Sequence, residues 1–215
     1  MKIGIVGSGD VAQALGRGLA SRGHDVMLGS RDPKSEKLQK WKEGSKGKVS
    51  TGTMEETARH GPVVFLSVHG DAAEEAIDRA GIQNFEGKLV VDTMNPLDLS
   101  KGMPPGLLYG VTDSLGERVQ RKLPRSRVVK AFNTISSAFM ADPRIPGGTP
   151  ELMICGNDAK AKEEVTALAK ELGWPGTLDV GGIEVSRWIE ALVPLWVRVG
   201  MKLGTWHHAV RWAHP

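Results

Sequence analysis

A chain of 215 residues, 40% hydrophobic and 25% charged, is long enough for one large domain with a small appendage around a substantial core. That balance excludes a disordered or fibrous protein. The net charge of +3 does not by itself point to nucleic acid and suits small anionic ligands.

The single cysteine, Cys155 in "LMICGN", excludes an intramolecular disulfide. It reads as a buried small residue, in keeping with a reducing, cytoplasmic setting. The opening "MKIGIVGSGD" runs straight into a Gly-rich turn and reads as a first strand, not a signal peptide. No run approaches about 18 uncharged apolar residues, so no membrane span is expected.

In chain order, "KIGIVG" (2–7) predicts a strand. "VAQALGRGLASRG" (11–23) predicts a helix with Val11, Ala14, Leu15 and Leu19 on one face and Gly23 as its stop. "HDVMLGS" (24–30) is the next strand. The basic patch "KLQKWKEGSKGK" (37–48) reads as a solvated loop or helix end rather than a nucleic-acid surface. Strands follow at 61–68, 87–95, 127–133 and 151–157. The successive apolar residues of "VVFLSV" and "LVV" suit strands covered on both faces. This β-α alternation predicts an α/β fold, a doubly wound parallel sheet of Rossmann type.

From Asp158 the pattern turns helical. "DAKAKEEVTALAKELG" (158–173) has Asp158 as N-cap and Gly173 as stop. The stretch 181–213, broken at Pro194, carries Trp188, Trp196, Trp206 and Trp212. Loops at 101–106 and 142–150 are rich in Pro and Gly. The expected organisation is a nucleotide-binding domain over 1–157 and a C-terminal helical segment over 158–215.

"GSGDVA" places Gly7, Gly9 and Ala12 in the G-x-G-x-x-G/A pattern between a strand and a helix. Gly7 permits the turn, Gly9 lets backbone approach a pyrophosphate, and Ala12 keeps the helix close to the sheet. The helix start supplies free N–H groups and a positive dipole end. Asp10 is unexpected beside a pyrophosphate, and an interaction with the helix N-terminus suits it better. The second strand should then end in an acidic residue gripping a ribose 2′-hydroxyl. It ends instead in Gly29, Ser30 and Arg31, with Lys34 close behind. A guanidinium there suits the 2′-phosphate of NADP, which a carboxylate repels. The alternative, a surface Arg31 with Asp32 as ribose ligand, puts the carboxylate two positions late and before Pro33, where it suits a turn.

The carboxyl ends of the later strands should line the crevice. They carry Ser67, His69, Asn95, Pro96, Asn133 and Thr134, groups suited to orienting a nicotinamide amide and ribose. His69 is either an acid–base group or a packing residue. No nucleophile system and no metal-ligand spacing is visible, and His207 and His208 would sit on adjacent faces of a helix, a poor chelate.

The motifs "GSGD", "GSRDP", "DTMNP", "VVKAFNTIS" and "LMICGN", in that order, resemble the NADP-dependent deazaflavin (coenzyme F420) oxidoreductase family. They are similar also to the oxidoreductase domain of the six-transmembrane metalloreductases. The resemblance implies that Gly7, Ser8, Gly9, Asp10 and Val11 hold the pyrophosphate and that Ser30, Arg31 and Lys34 hold the 2′-phosphate. It places Val68, His69, Asn95, Pro96, Ala131, Phe132 and Asn133 around the ribose and nicotinamide. It implies hydride transfer between NADP(H) and coenzyme F420, FMN or FAD as acceptor, with no catalytic side chain assigned, since the two rings carry the chemistry. Leu192, Pro194, Leu195 and Trp196 are read as core or a homodimer interface of the C-terminal helices, or as acceptor-contacting surface beside the 133–137 loop. Two rivals are an NADP-dependent reductase of a small organic substrate and a non-catalytic NADP(H) sensor. The first needs a Lys, Tyr or Asp over the nicotinamide, and the only tyrosine, Tyr109, lies outside every strand-end motif.

Overall fold

The computed structural model describes residues 1–212. Ala213, and with it the end of the predicted helical segment 158–215, lies outside the described residues.

The N-terminal half alternates β1 (Lys2–Val6), α1 (Asp10–Ser21), β2 (Asp25–Gly29), α2 (Glu36–Glu43), β3 (Lys48–Gly52), α3 (Met54–Arg59), β4 (Val63–Leu66) and α4 (Ala73–Ala80). Then come β5 (Leu89–Asp92), a short antiparallel pair β6 (Leu97–Asp98) and β7 (Gly106–Leu107), α5 (Leu115–Lys122) and β8 (Arg127–Lys130). The remainder is β9 (Met153–Gly156), α6 (Ala159–Glu171), β10 (Leu178–Asp179) and α7 (Ser186–Leu203).

The main sheet has the order β10-β9-β8-β5-β4-β1-β2-β3. From β3 to β8 all pairings are parallel. β9 departs from the expected parallel sheet by running antiparallel to β8, with β10 parallel to β9 at the edge. Strand order reverses between β1 and β4, the switch point beside which a doubly wound sheet holds its ligand.

Side chains alternate between two buried layers, as the period of a strand dictates. Ile3, Ile5, Val63 and Phe65 join the core under α1, α2 and α6, while Val64, Leu66 and Val90 join the core under α4 and α5. Helix starts follow local chemistry. Thr53 and Glu56 form a reciprocal capping box on α3. Ser114 caps α5, and Asp158 accepts from Ala161 N at 2.7 Å to cap α6, as its sequence predicts.

Three sequence expectations need correction. Residues 37–48 are not wholly solvated: α2 buries Leu38 and Trp41 against α1, where Trp41 fills the groove left by Gly16. A Cβ on Gly16 would stand 2.8 Å from the indole, and Trp41 Nε1 donates to Gln13 O at 3.1 Å. Pro194 does not break the last helix, because α7 runs through it, burying Ile189, Val193 and Val197 on one side. Packing on that face outweighs the one backbone hydrogen bond that proline removes. Finally, Gly204 in the left-handed conformation ends α7, so Trp206, His207 and His208 lie in an irregular tail, not on a helix. Trp196 holds that tail by stacking on His208 at 4.4 Å.

Candidate functional site

A cleft of about 500 Å³ opens at the carboxyl ends of β1, β2, β4 and β5. Its floor is the turn Gly7–Val11, its walls the tips of β2 and β4 and one face of α4, and its far end Thr93, Met94, Asn95, Leu97 and Leu99.

The turn has the form its glycines predict. Gly7 has φ +141°, and a Cβ there would lie 2.2 Å from Ser67 O, so both conformation and space demand glycine. Gly9 is the N-cap of α1 with ordinary extended angles, and a Cβ there would meet nothing within 4 Å. The room above Gly9 is therefore not required by the fold. Gly9 has no side chain to cap α1, so the first-turn N–H groups point into the cleft without a side-chain partner. Gln13 braces the turn by donating to Ser8 O at 3.1 Å. Asp10 lies in the first turn of α1, and its carboxylate turns outward to Lys37 Nζ at 3.6 Å.

At the tip of β2, Ser30 N donates to Gly52 O at 3.1 Å. Asp32 N donates to Ser30 Oγ at 3.2 Å, and Asp32 Oδ1 accepts from Lys34 N at 3.1 Å, so Asp32 stabilises its own turn. Arg31 is exposed on the cleft rim and pairs with no carboxylate among the described residues. Of the neighbouring surface cations, Lys40 pairs with Glu36 and Lys48 with Asp25, whereas Lys34 and Lys42, like Arg31, have no carboxylate partner among the described residues; Arg31 is the one of these three that lines the cleft. Free helix N–H groups, open space over Gly9 and an uncompensated guanidinium on the rim fit a nucleotide carrying several phosphoryl groups.

Of the residues expected at the site, Gly7, Ser8, Gly9, Asp10, Val11, Ser30, Arg31, Val68, His69 and Asn95 line this one cleft. Lys34, Pro96, Ala131, Phe132 and Asn133 do not. Lys34 is exposed on the turn beside Arg31. Phe132 takes φ +62° and packs its ring between Phe65 and Trp174, at centroid distances of 6.4 and 6.2 Å. Asn133 sits one layer behind the cleft wall: its Nδ2 donates to Asn95 Oδ1 at 3.0 Å and to Ile189 O at 3.1 Å. Asn95 returns a bond to Asn133 O at 2.8 Å. The His69 ring is exposed and makes no hydrogen bond among the described residues.

Sequence reasoning missed Met54, Glu75, Arg79, Leu97 and Leu99, which also line the cleft. Four of the five stand on α3, on α4 or in β6, elements with no motif to announce them. Cys155 is fully buried, and burial pushes its thiol up to about 11, as suits an inert core residue. Among the described residues no helix is long and apolar enough to cross a membrane, and no group of three or more His, Cys, Asp or Glu is placed to hold a metal ion.

Comparison with known proteins gives one direction. The family profile described as NADP oxidoreductase, coenzyme F420-dependent, matches residues 2–96. An F420-dependent NADP reductase of Methanocaldococcus jannaschii is 32% identical, covering 94% of this chain and 93% of that protein. Metalloreductase STEAP3 of Rattus norvegicus is also 32% identical over 91% of this chain, which spans only 38% of that longer protein. A crystal structure from Arthrobacter sp. FB24, described as a candidate F420-dependent NADP-reductase, superposes with a TM-score of 0.95 at 38% identity over the whole of both chains.

Proposed function

The chain belongs to the family of coenzyme F420-dependent NADP oxidoreductases, and from that premise we propose that it binds NADP(H) in the cleft at the switch point and passes a hydride between it and a flavin-like acceptor, F420, FMN or FAD. The observation that carries the cofactor assignment is the tip of β2, where a guanidinium without a carboxylate partner replaces the expected acid.

In this reading Gly7, Ser8, Gly9, Asp10 and Val11 receive the pyrophosphate, backbone N–H groups doing the work and Asp10 kept aside by Lys37. Arg31 and Ser30 take the 2′-phosphate, and Lys34 adds a second positive charge nearby. Val68, His69 and Asn95 border the nicotinamide end, with Pro96, Ala131, Phe132 and Asn133 fixing that wall from behind. The nicotinamide, when bound, supplies the hydride-carrying ring. The chain's own residues position it and exclude water, Leu97 and Leu99 closing the far end with apolar surface. Tyr109 does not serve a reductase of small substrates, because it lies under Arg118, 3.9 Å from the guanidinium carbon, and packs on the core beneath α4 and α5.

Two tests address the two halves of this reading. Arg31→Ala should raise the dissociation constant for NADPH about tenfold or more, the worth of one charge-assisted contact of about 1.5–3 kcal/mol, and leave NADH nearly unchanged. Equal losses for both nucleotides would remove Arg31 from the site. Steady-state oxidation of NADPH with F420, FMN and FAD separates an enzyme from a sensor, which would bind tightly and turn nothing over. The exposed stripe Trp188, Leu195, Val199 and Leu203 on α7 supports a homodimer through the C-terminal helices. Sedimentation at micromolar concentration should give a dimer, and Leu195→Glu a monomer; a wild-type monomer would end that part of the proposal.

A further inference from the structure

Behind the Thr93–Asn95 wall of the cleft, the interior holds three charges. Lys130 Nζ lies 2.8 Å from Asp92 Oδ2 and 2.7 Å from Glu190 Oε1, and the side chains of all three are buried. Two carboxylates thus face one ammonium. The surplus negative charge is held by backbone donors. Glu190 accepts from Leu115 N and Gly116 N, both at 2.9 Å, at the start of α5, and Asp92 Oδ1 accepts from Met94 N at 2.9 Å. Burial works against the charge on Lys130, but Asp92 and Glu190 outweigh it and hold the ammonium above the ordinary lysine range. The dipole at the start of α5 returns only about half a unit of positive charge. The Glu117–Arg187 pair, which also joins α5 to α7, is neutral as a unit, and Cys155 is an uncharged thiol. The group therefore remains net negative.

A structural link alone would not need the second carboxylate. Lys130 with Asp92 already ties β8 to β5, and the amide pair Asn95–Asn133 already ties the cleft wall to α7 through Ile189 O. Glu190 adds charge, and it adds it directly behind residues that border the cleft.

We infer that the Lys130–Asp92–Glu190 group is a charge-setting element that biases the cleft toward the oxidised form of its nicotinamide cofactor. This rests on the reading that NADP(H) binds with its nicotinamide at the Thr93–Asn95 end. Oxidised and reduced forms differ by one positive charge on that ring. A fixed negative charge behind the wall binds the oxidised form more tightly, so bound NADPH becomes a stronger hydride donor than free NADPH. Glu190 touches neither ring and acts through the field, as a positioning residue acts through a neighbour.

The test is the ratio of dissociation constants, Kd(NADP⁺)/Kd(NADPH), measured by titration calorimetry on the full chain. Glu190→Gln keeps the shape and an acceptor for α5 and removes one negative charge. The ratio should rise about sixfold to fifteenfold, the order expected for a unit charge roughly 10–15 Å away at an effective dielectric of about 20. Asp92→Asn should move it the same way, which serves if the first variant does not fold. Glu190→Asp keeps the charge and should keep the wild-type ratio. Ile189→Ala loosens the docking of α7 without changing charge, and should weaken both forms together at constant ratio. A ratio unchanged in the folded Glu190→Gln or Asp92→Asn protein, or moved equally by Ile189→Ala, would overturn the inference while leaving the cofactor assignment standing. Wild-type protein that binds neither nucleotide would overturn the cofactor assignment first, and this inference with it.

Discussion

The two ends of the cleft handle charge in opposite ways. At the β1–α1–β2 end the chain leaves helix N–H groups and the Arg31 guanidinium without a protein counter-charge. At the β5–β8–α7 end it buries Lys130, Asp92 and Glu190 and satisfies them with one another and with backbone donors. The first arrangement is left open, as the proposed NADP(H) site requires. The second is complete in the folded chain. A surface charge without a partner costs little because water solvates it, whereas a buried one costs several kcal/mol. That asymmetry is why a binding end can wait for its ligand and a scaffold end cannot.

The contrast is broken most directly at Lys130. Lys130→Met leaves Asp92 and Glu190 buried together without an ammonium between them. Chemical denaturation should show a loss of about 3–5 kcal/mol, a large share of the stability of an ordinary domain. A loss below about 1 kcal/mol would mean that the two carboxylates are readily neutralised and that the scaffold end is not built on charge.

The opposite expectation holds at Gly9. A methyl group there meets nothing within 4 Å in the folded chain, and the backbone angles are ordinary. Gly9→Ala should therefore change stability by less than about 1 kcal/mol, the range of a weakened N-cap. It should weaken NADPH binding about tenfold or more, because the methyl occupies the space a pyrophosphate needs. Thermal unfolding and nucleotide titration on the same preparation separate the two quantities. A methyl that leaves NADPH binding intact would put the pyrophosphate elsewhere.

The same contrast explains what could be read from the sequence. The glycine turn between β1 and α1 was legible because its signals are local: Gly7, Gly9 and Ala12 lie within six residues, with Arg31 at the end of the next strand. The α/β alternation was legible for the same reason, each buried strand being a short apolar run. β3, "KVSTG", gave no such signal, since only Gly52 of its five residues is buried. α2 hid its two core residues, Leu38 and Trp41, among lysines. Asp92 and Lys130 stood visibly at the ends of apolar runs, "LVVD" and "RVVK", but their common partner Glu190 lies far along the chain on α7. No spacing rule links three residues whose meeting depends on the antiparallel turn at β9 and the path of α7 back across the sheet. The continuation of α7 through Pro194 was illegible for a related reason, because tertiary packing on its inner face overrode the local rule.

A weaker ionic tie at the rim of the same scaffold sharpens the comparison through pH. Glu117 on α5 accepts from Arg187 Nη2 at 2.6 Å and Nε at 2.8 Å on α7, and from Ser114 Oγ at 2.6 Å. The hydrogen bond from Arg187, opposed by partial burial, holds the Glu117 carboxyl below its usual range. The folded chain then binds this proton less readily than the unfolded chain does. The contribution of the pair is therefore fully present above the ordinary glutamate value of about 4.3, and it is lost as pH falls through the lower folded value. Because Arg187 is a third exposed, the contribution is discounted to a few tenths to about 1 kcal/mol. Glu117→Gln should be less stable than wild type at neutral pH by that amount, and the gap should close as pH falls below the ordinary glutamate range and wild type loses the same interaction. Denaturant midpoints across that range decide it. A gap that stays constant with pH would show that Glu117 holds α5 to α7 by shape and neutral hydrogen bonding.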